Sequence, residues 1–356
     1  MKGDLEEDVA SGSGPWHRLS VRARAVGQFL VVAAMLTIGV TRPISAARAD
    51  GLSQTAPPAA RPALVLTYVA NSGVLVAAGD RKILIDALFD RPNPAYRAPS
   101  PDTIDRMVND IAPFDGVTAA LITHNHPDHF DPRVALRFLE SRRDAVLVAP
   151  GDAVAAMRSV AADWPLLASR VVTIDGQVGD RQVRDVRGVS VTTFRTRHGS
   201  SDTPPNVMYL VQLNGWRLFH EGDSPADVEE YKRFGLGGDR VDLALVHQWF
   251  PFEPACAAFL QQVLRPDHIA LTHLPIDREV ETPAKIDAVR KSYTDVFLLL
   301  PGMAPKTFPG GQAGGLAPRG ATGYFRSRFS ASMASALVGS TRCGIRCTDC
   351  RMTPIP

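Results

Sequence analysis

The sequence is short of charge of one sign, of aromatic rings and of cysteine, and each shortage removes a class of function. Formal net charge is only +2. No dominant basic field exists to release counterions, which excludes a nucleic-acid partner. Aromatic residues make up 7% of the chain, and basic stripes interleaved with aromatics are missing as well. Three of the four cysteines crowd into the last fifteen positions. No internal repeat of solenoid period is present. What remains is ordinary globular composition, 45% hydrophobic and 21% charged over 356 residues, enough for one large domain or two small ones.

The first 49 residues read as a targeting segment. Arg18, Arg22 and Arg24 form a basic start, and residues 27–40 (GQFLVVAAMLTIGV) an apolar run. Ala47-Arg48-Ala49 then gives the small-x-small pattern of signal cleavage, expected after Ala49. A membrane span needs about 20 apolar residues, and this run has 14. Export to the periplasm is therefore expected, with an uncleaved inner-membrane tether as the alternative. Arg22 and Arg24 are split by Ala23 and form no twin-arginine pair. Residues 50–62 read as a linker, 63–303 as the folded body and 304–356 as a flexible Gly- and Pro-rich tail.

Within the body, β-branched runs at 64–69, 73–78 and 82–85, turning at Asn71-Ser72-Gly73, predict an antiparallel meander. A helix over 101–111 and a buried strand over 117–122 follow. Asp131 suits a helix N-cap and Pro132 the first helical position, predicting a helix over 131–141. A strand at 145–148 and a helix at 152–160 come next. Strands are predicted at 189–196, 206–213 and 216–219, the last pair around Asn214-Gly215, a strong hairpin signal. Then come a strand at 241–246, a helix at 255–264, a strand at 268–271, a helix at 283–292 and a strand at 296–300. Strands followed by alternating strands and helices, twice over, predict two sheets face to face with helices outside.

The chemistry concentrates in His124-Asn125-His126-Pro127-Asp128-His129, directly after a predicted buried strand. Neutral imidazole and carboxylate are zinc-type ligands. Residues 124 and 126 project to one side of an extended chain, and Asp128 and His129 follow where it turns toward the helix. That arrangement can put two ligands on one metal and two on a neighbour. Two ions about 3.5–4 Å apart can share a bridging hydroxide that is nucleophilic near neutral pH.

This run resembles the H-x-H-x-D-H signature of the metallo-β-lactamase superfamily. Further motifs follow in the family's order: His198 in Thr196-Arg197-His198-Gly199, Asp223 in Glu221-Gly222-Asp223, and His273 in Leu271-Thr272-His273. Asp86, ending Ile83-Leu84-Ile85, matches an early strand aspartate that usually stands behind the ligands. The resemblance covers roughly residues 63–303. It implies an α/β fold, a four-layer αβ/βα sandwich, and two divalent ions, zinc first and manganese or iron also accommodated. It places His124, His126 and His198 on the first ion, Asp128, His129 and His273 on the second, and Asp223 across both. Asp128 is also the expected catalytic carboxylate, orienting the bridging hydroxide or accepting its proton.

Dinuclear lactamases with a cysteine ligand carry that cysteine where Asp223 stands. Aspartate there resembles the broader hydrolase branch of phosphodiesterases, lactonases, thioesterases and ribonucleases. The 71–76 and 82–86 segments resemble the branch holding ascorbate-6-phosphate lactonase and the phospholipase D acting on N-acylphosphatidylethanolamine. Hydrolysis of an ester, lactone or phosphodiester is the implied reaction, on a small-molecule or lipid-derived substrate. An exported metal- or ligand-binding protein of the same fold without turnover is the alternative. Loops 88–100, 199–205 and 248–255 are expected to shape the pocket. His220 is either behind the ligands or core packing, and His247 either touches substrate or is structural. His268 is expected to be unrelated. Cys343-x3-Cys347-x2-Cys350 matches an iron–sulfur spacing, but no cofactor-binding barrel follows it, so it is set aside. Cys256 reads as a small core residue.

Overall fold

A computed structural model describes residues 60–312, apart from 92, 93, 200, 226 and 239. The signal segment 1–49, most of the expected linker, the tail beyond residue 312 with its three cysteines, and His17 lie outside the described residues.

In chain order the first half contains β1 (Ala60–Arg61), β2 (Leu64–Ala70), β3 (Gly73–Ala78), β4 (Arg81–Ile85), α1 (Pro101–Val108), β5 (Val117–Leu121), α2 (Pro132–Ser141), β6 (Val146–Pro150), α3 (Gly151–Val160), α4 (Trp164–Ala168) and β7 (Val171–Ile174). The second half contains β8 (Arg181–Val186), β9 (Val189–His198), β10 (Ser201–Leu213), β11 (Trp216–His220), α5 (Val228–Arg233), β12 (Leu243–His247), α6 (Pro254–Ala258), β13 (His268–Thr272), α7 (Thr282–Val289), β14 (Val296–Leu298), β15 (Lys306–Phe308) and β16 (Gly311–Gln312). Two seven-stranded sheets result, β15-β2-β3-β4-β5-β6-β7 and β14-β13-β12-β11-β10-β9-β8. Each has an antiparallel meander on one side and parallel strands on the other, switching at β4 and at β11.

The strands read as near-continuous apolar runs because both their faces are covered. In β3, Val74 and Val76 enter the core between the sheets, while Leu75 joins the layer beneath α1–α3. The central core takes Leu66, Ile85 and Leu121 from one sheet and Val191, Tyr209 and Leu245 from the other. A third cluster packs Phe219, Val246 and Leu271 against Tyr231, Phe259 and Ile286 on the far side. Helices thus cover both outer faces, giving the four-layer αβ/βα sandwich. Fully burying one such Leu or Phe contributes roughly 1.5–3 kcal/mol. Among the described residues no helix is long and apolar enough to cross a membrane.

Four expectations need correction. The tail predicted from 304 instead supplies β15, which pairs with β2 and buries Phe308. The linker predicted to 62 already contains β1, paired with β16, and Arg61 binds Asp242 at 2.8 Å and stacks over Trp216. The helix expected over 255–264 widens at Phe259–Leu264 and ends at Arg265 with φ +45, because Pro266 disfavours a helical residue before it. The pocket loop expected at 199–205 is mostly strand, since β10 begins at Ser201 and extends the hairpin with β9.

Candidate metal centre

The ligand run sits where β5 runs out and α2 begins. Asp131 caps α2, its Oδ1 accepting the N–H groups of Arg133 and Val134. The Phe130 and His129 amides both donate to His126 O. The chain between strand and helix is therefore a tight, internally bonded turn, which buries His124, Asp128 and His129 and leaves Pro127 outside.

Asp86, at the end of β4, organises that turn. Its Oδ1 accepts Thr123 N–H at 2.8 Å, and its Oδ2 accepts the Thr123 hydroxyl at 2.6 Å and His129 Nδ1–H at 2.9 Å. The Thr123 proton is spent on Asp86, so its oxygen accepts from His124 Nδ1–H, 2.9 Å away. The hydrogen bonds thereby assign both tautomers and leave Nε2 of His124 and of His129 for the centre.

On the opposite sheet, Asn206 does the equivalent for Asp223. Asn206 Nδ2 donates to Thr196 Oγ1 and Glu221 O, and Asn206 Oδ1 accepts Asp223 N–H at 3.1 Å. Gly222 turns the chain there with φ +58, and a Cβ on it would lie 2.5 Å from Asn206 Oδ1. His220 Nδ1 accepts Gly222 N–H, so its Nε2–H donates to Ser72 O. His220 is thus a buried tie between two turns and does not face the centre. His268 pairs with Asp295 at 2.9 Å on the way to Phe308 and is no part of the cluster.

The structure brings all seven sequence-predicted residues together. Ligating atoms of His124, His126, His198 and Asp223 lie within 4.8 Å of one another, as do those of Asp128, His129 and His273. Asp223 stands between the groups: its Oδ2 is 3.3 Å from Nε2 of His198 and of His273, and its Oδ1 is 3.4 Å from Nε2 of His129. Asp128 is held by Asn71, whose Nδ2 donates to Asp128 O and Oδ2, both at 3.2 Å. His273 takes a left-handed conformation, φ +56, at the end of β13.

Two residues of the centre were missed or left open by the sequence. His247, ending β12, places Nε2 3.4 Å from Asp223 Oδ1 and forms a third group with Asp223 and His273. Glu221, unremarked in the sequence, is buried beside it and accepts His247 Nδ1–H at 2.7 Å. Two of the three expected pocket loops reach the cluster, through Tyr96 against His273 (ring centroids 4.2 Å apart) and Trp249 against His247 (5.4 Å). Gly199 N–H, at the start of the third, donates to Asp223 O.

Burial and crowding set the electrostatics. Burial, reinforced by neighbouring imidazoles, holds His124 well below the ordinary histidine range and His126 down at about 4. At His129 burial is outweighed by the carboxylates of Asp223, Asp86 and Asp128, which raise it to about 9. Burial opposes charge at His247 too, but Asp223 and Glu221 raise it to about 10. Asp223 is held well below the carboxylate range, because the surrounding imidazoles outweigh its burial. The negative charge of Asp223 and positive charge on His129 and His247 thus support one another.

These residues fit a bound metal on their own chemistry. His124 Nε2, His198 Nε2, His273 Nε2 and Asp223 Oδ1 are all buried, point into one space and make no hydrogen bond among the described residues. Orphaned polar atoms cost on the order of 1–3 kcal/mol each, and a cluster of lone-pair donors around a carboxylate is what a divalent cation satisfies.

A family model described as beta-lactamase superfamily domain matches residues 65–273. No curated protein matches the chain. Similar solved structures include a metallo hydrolase from the archaeon Ignicoccus hospitalis, 20% identical, covering 69% of this chain and 98% of that one, with TM-score 0.47. The metallo-beta-lactamase fold protein YhfI of Bacillus subtilis is 13% identical over 69% of this chain and 100% of its own, with TM-score 0.46. CmlA, a diiron beta-hydroxylase of Streptomyces venezuelae, is 14% identical over 69% of this chain and 54% of its own, with TM-score 0.44.

Proposed function

From the premise that the chain belongs to the beta-lactamase superfamily, matched over more than half its length, we propose that it is a metal-dependent hydrolase of an ester, lactone or phosphodiester bond. The observation that carries this reading is the convergence of buried imidazole nitrogens and the Asp128 carboxylate on Asp223. His124, His126 and His198 would hold one ion, Asp128, His129 and His273 a second, with Asp223 serving both. Divalent ions there, zinc, manganese or iron, would polarise the scissile carbonyl or phosphoryl group and make water nucleophilic near neutral pH.

The chain's own residues supply the rest. Asp86 fixes the ring nitrogens that face the centre. Asp128, its Oδ2 held by Asn71 on the side of His129 and His273, would have its other carboxylate oxygen left to orient the attacking water or accept its proton. Tyr96 and Trp249 flank the histidines, where their rings would contact the non-reacting part of a substrate. The 94–97 loop is tied across to the segment after His273 by the Arg97–Glu279 ion pair, 2.6 and 2.7 Å, and by Ile276 N–H on Ala95 O. These bonds join the two sides of the rim.

The test is metal analysis of the purified chain beside a panel of phosphodiesters, lactones and esters. His126→Ala is expected to lower turnover of any accepted substrate more than ~100-fold, beyond the 10–100-fold typical of losing a group behind the ligands. Equal turnover by metal-loaded wild type and variant would refute the reading. We further infer export to the periplasm, supported by the basic start, the apolar run and Ala47-Arg48-Ala49.

A further inference from the structure

Glu221 and His247 form a buried pair at the edge of the centre, outside the set of seven. They are 1% and 6% exposed. Glu221 Oε1 accepts two hydrogen bonds from His247, one from its backbone N–H at 2.5 Å and one from ring Nδ1 at 2.7 Å. With Nδ1 committed, Nε2 is the nitrogen that faces inward, 3.4 Å from Asp223 Oδ1.

His129 is presented to the same oxygen in the same way. Its Nδ1 is engaged by the buried Asp86 carboxylate at 2.9 Å, and its Nε2 also stands 3.4 Å from Asp223 Oδ1. Two atoms each ~2.1 Å from one tetrahedral ion are ~3.4 Å apart, which is the spacing of co-ligands. The Asp223 oxygen lies between the two imidazoles at ion-pair distance from both. The ligating atoms of Asp223, His247 and His273 lie within 4.8 Å of one another. A residue that only packed the end of β12 would not need a buried carboxylate spent on aiming its ring.

We propose that His247 is an eighth ligand of the metal centre, binding through Nε2 beside Asp223 and His273, with Glu221 as the carboxylate that fixes its orientation. The inference rests on the reading that the cluster holds metal. It adds to that reading a carboxylate–histidine–metal arrangement at the end of β12, the strand beside the β13 that leads into His273.

Two measurements test it. In crystals of the full chain grown with Co2+, an ion ~2.0–2.2 Å from His247 Nε2 supports the proposal. Ions bound at the centre but more than ~3 Å from that nitrogen, beyond any coordination bond, overturn it. In solution, Co2+ is titrated against a competing chelator and followed by its visible absorption. Wild type is expected to take up two ions. His247→Ala should weaken one of them by ~100-fold or more and shift its absorption band, and Glu221→Gln should weaken the same ion by ~10-fold. Unchanged affinities and spectra in both variants overturn the proposal and leave the centre standing. A wild-type chain that takes up no ion overturns the underlying reading together with it. The crystal measurement needs no variant, so a His247→Ala protein that failed to fold would not shelter the claim.

Discussion

Asp86 Oδ2 accepts His129 Nδ1–H at 2.9 Å, with both residues wholly buried, and the same oxygen reaches His124 through the Thr123 hydroxyl. One carboxylate therefore sets the tautomers of two imidazoles that belong to different halves of the centre. Its backbone, at φ +47, turns out of β4 just where the neighbouring β5 gives way to the ligand run. The sheet itself thus places the orienting group before any metal is considered.

Asp86→Asn keeps the size of the side chain but removes the charge and one acceptor. His129, bonded directly, is expected to lose more than His124, which is bonded through Thr123. Metal affinity should fall by ~10–100-fold, the usual effect of losing such a partner, with the ion on His129 released first. A chelator titration reads both steps. Two unchanged affinities would remove Asp86 from the account.

Gly222→Ala should damage the centre from the backbone outward. The position has φ +58, and the added Cβ would meet Asn206 Oδ1 at 2.5 Å and Thr123 Cβ at 2.8 Å. Those two residues hold Asp223 and the His124–Asp86 chain. Left-handed backbone on a non-glycine residue costs about 1–3 kcal/mol, and the clash adds to it. Gly235→Ala is the control, with φ +75 and open space around the new Cβ. Chemical denaturation should show Gly222→Ala losing clearly more stability, together with its metal. Equal losses would mean that the close approach to Asn206 carries no weight.

The parts of the fold legible in the sequence are those whose signals are local. Asp131-Pro132 announced a helix start, and Asn214-Gly215 a two-residue hairpin turn, where both residues do take positive φ. Doubly buried strands such as β3 and β12 stood out as unbroken apolar runs. Strand β8 did not, because it is an edge strand whose Arg181, Arg184 and Asp185 face solvent. Only its backbone pairing with β9 makes it a strand, and that leaves no mark on side-chain pattern. Strand β15 is three residues inside a Gly- and Pro-rich stretch, and its partner β2 lies some 240 positions earlier. The same distance rule governs the site. The run from His124 to His129 is local, whereas His198, Asp223 and His273 were found through the order of a known family's motifs. The Glu221–His247 bond joins residues 26 apart on neighbouring strands. No spacing within either segment signals it, and it became visible only once β11 and β12 were seen side by side.

If the N-terminal segment directs export with cleavage after Ala49, the mature chain begins at Asp50-Gly51. Expression of the full sequence in a Gram-negative host, followed by fractionation and N-terminal sequencing, reads this directly. A basic start, a short apolar core and a small-x-small site are all required for cleavage, so Ala49→Leu should leave the longer form attached to the inner membrane. Recovery of the full-length wild-type chain in the membrane fraction would favour the tether instead.

Metal removal should cost the folded state much of its stability. The centre gathers buried imidazoles and the carboxylates of Asp128 and Asp223 from turns on both sheets, at the ends of β5, β9, β11 and β13. Without a cation, Nε2 of His124, His198 and His273 stay buried with no hydrogen bond among the described residues, which favours opening of those turns. A ligand that binds only the folded state stabilises it by RT ln(1 + [L]/Kd), about 2.7 kcal/mol when the free ion is at 100 times its Kd. Thermal melts should therefore shift upward with added Zn2+ or Mn2+ and downward with chelator. In His126→Ala the shift should shrink without vanishing, because Asp128, His129 and His273 still form a second group. A melting temperature indifferent to both metal and chelator would mean that the two sheets hold together without help from this centre.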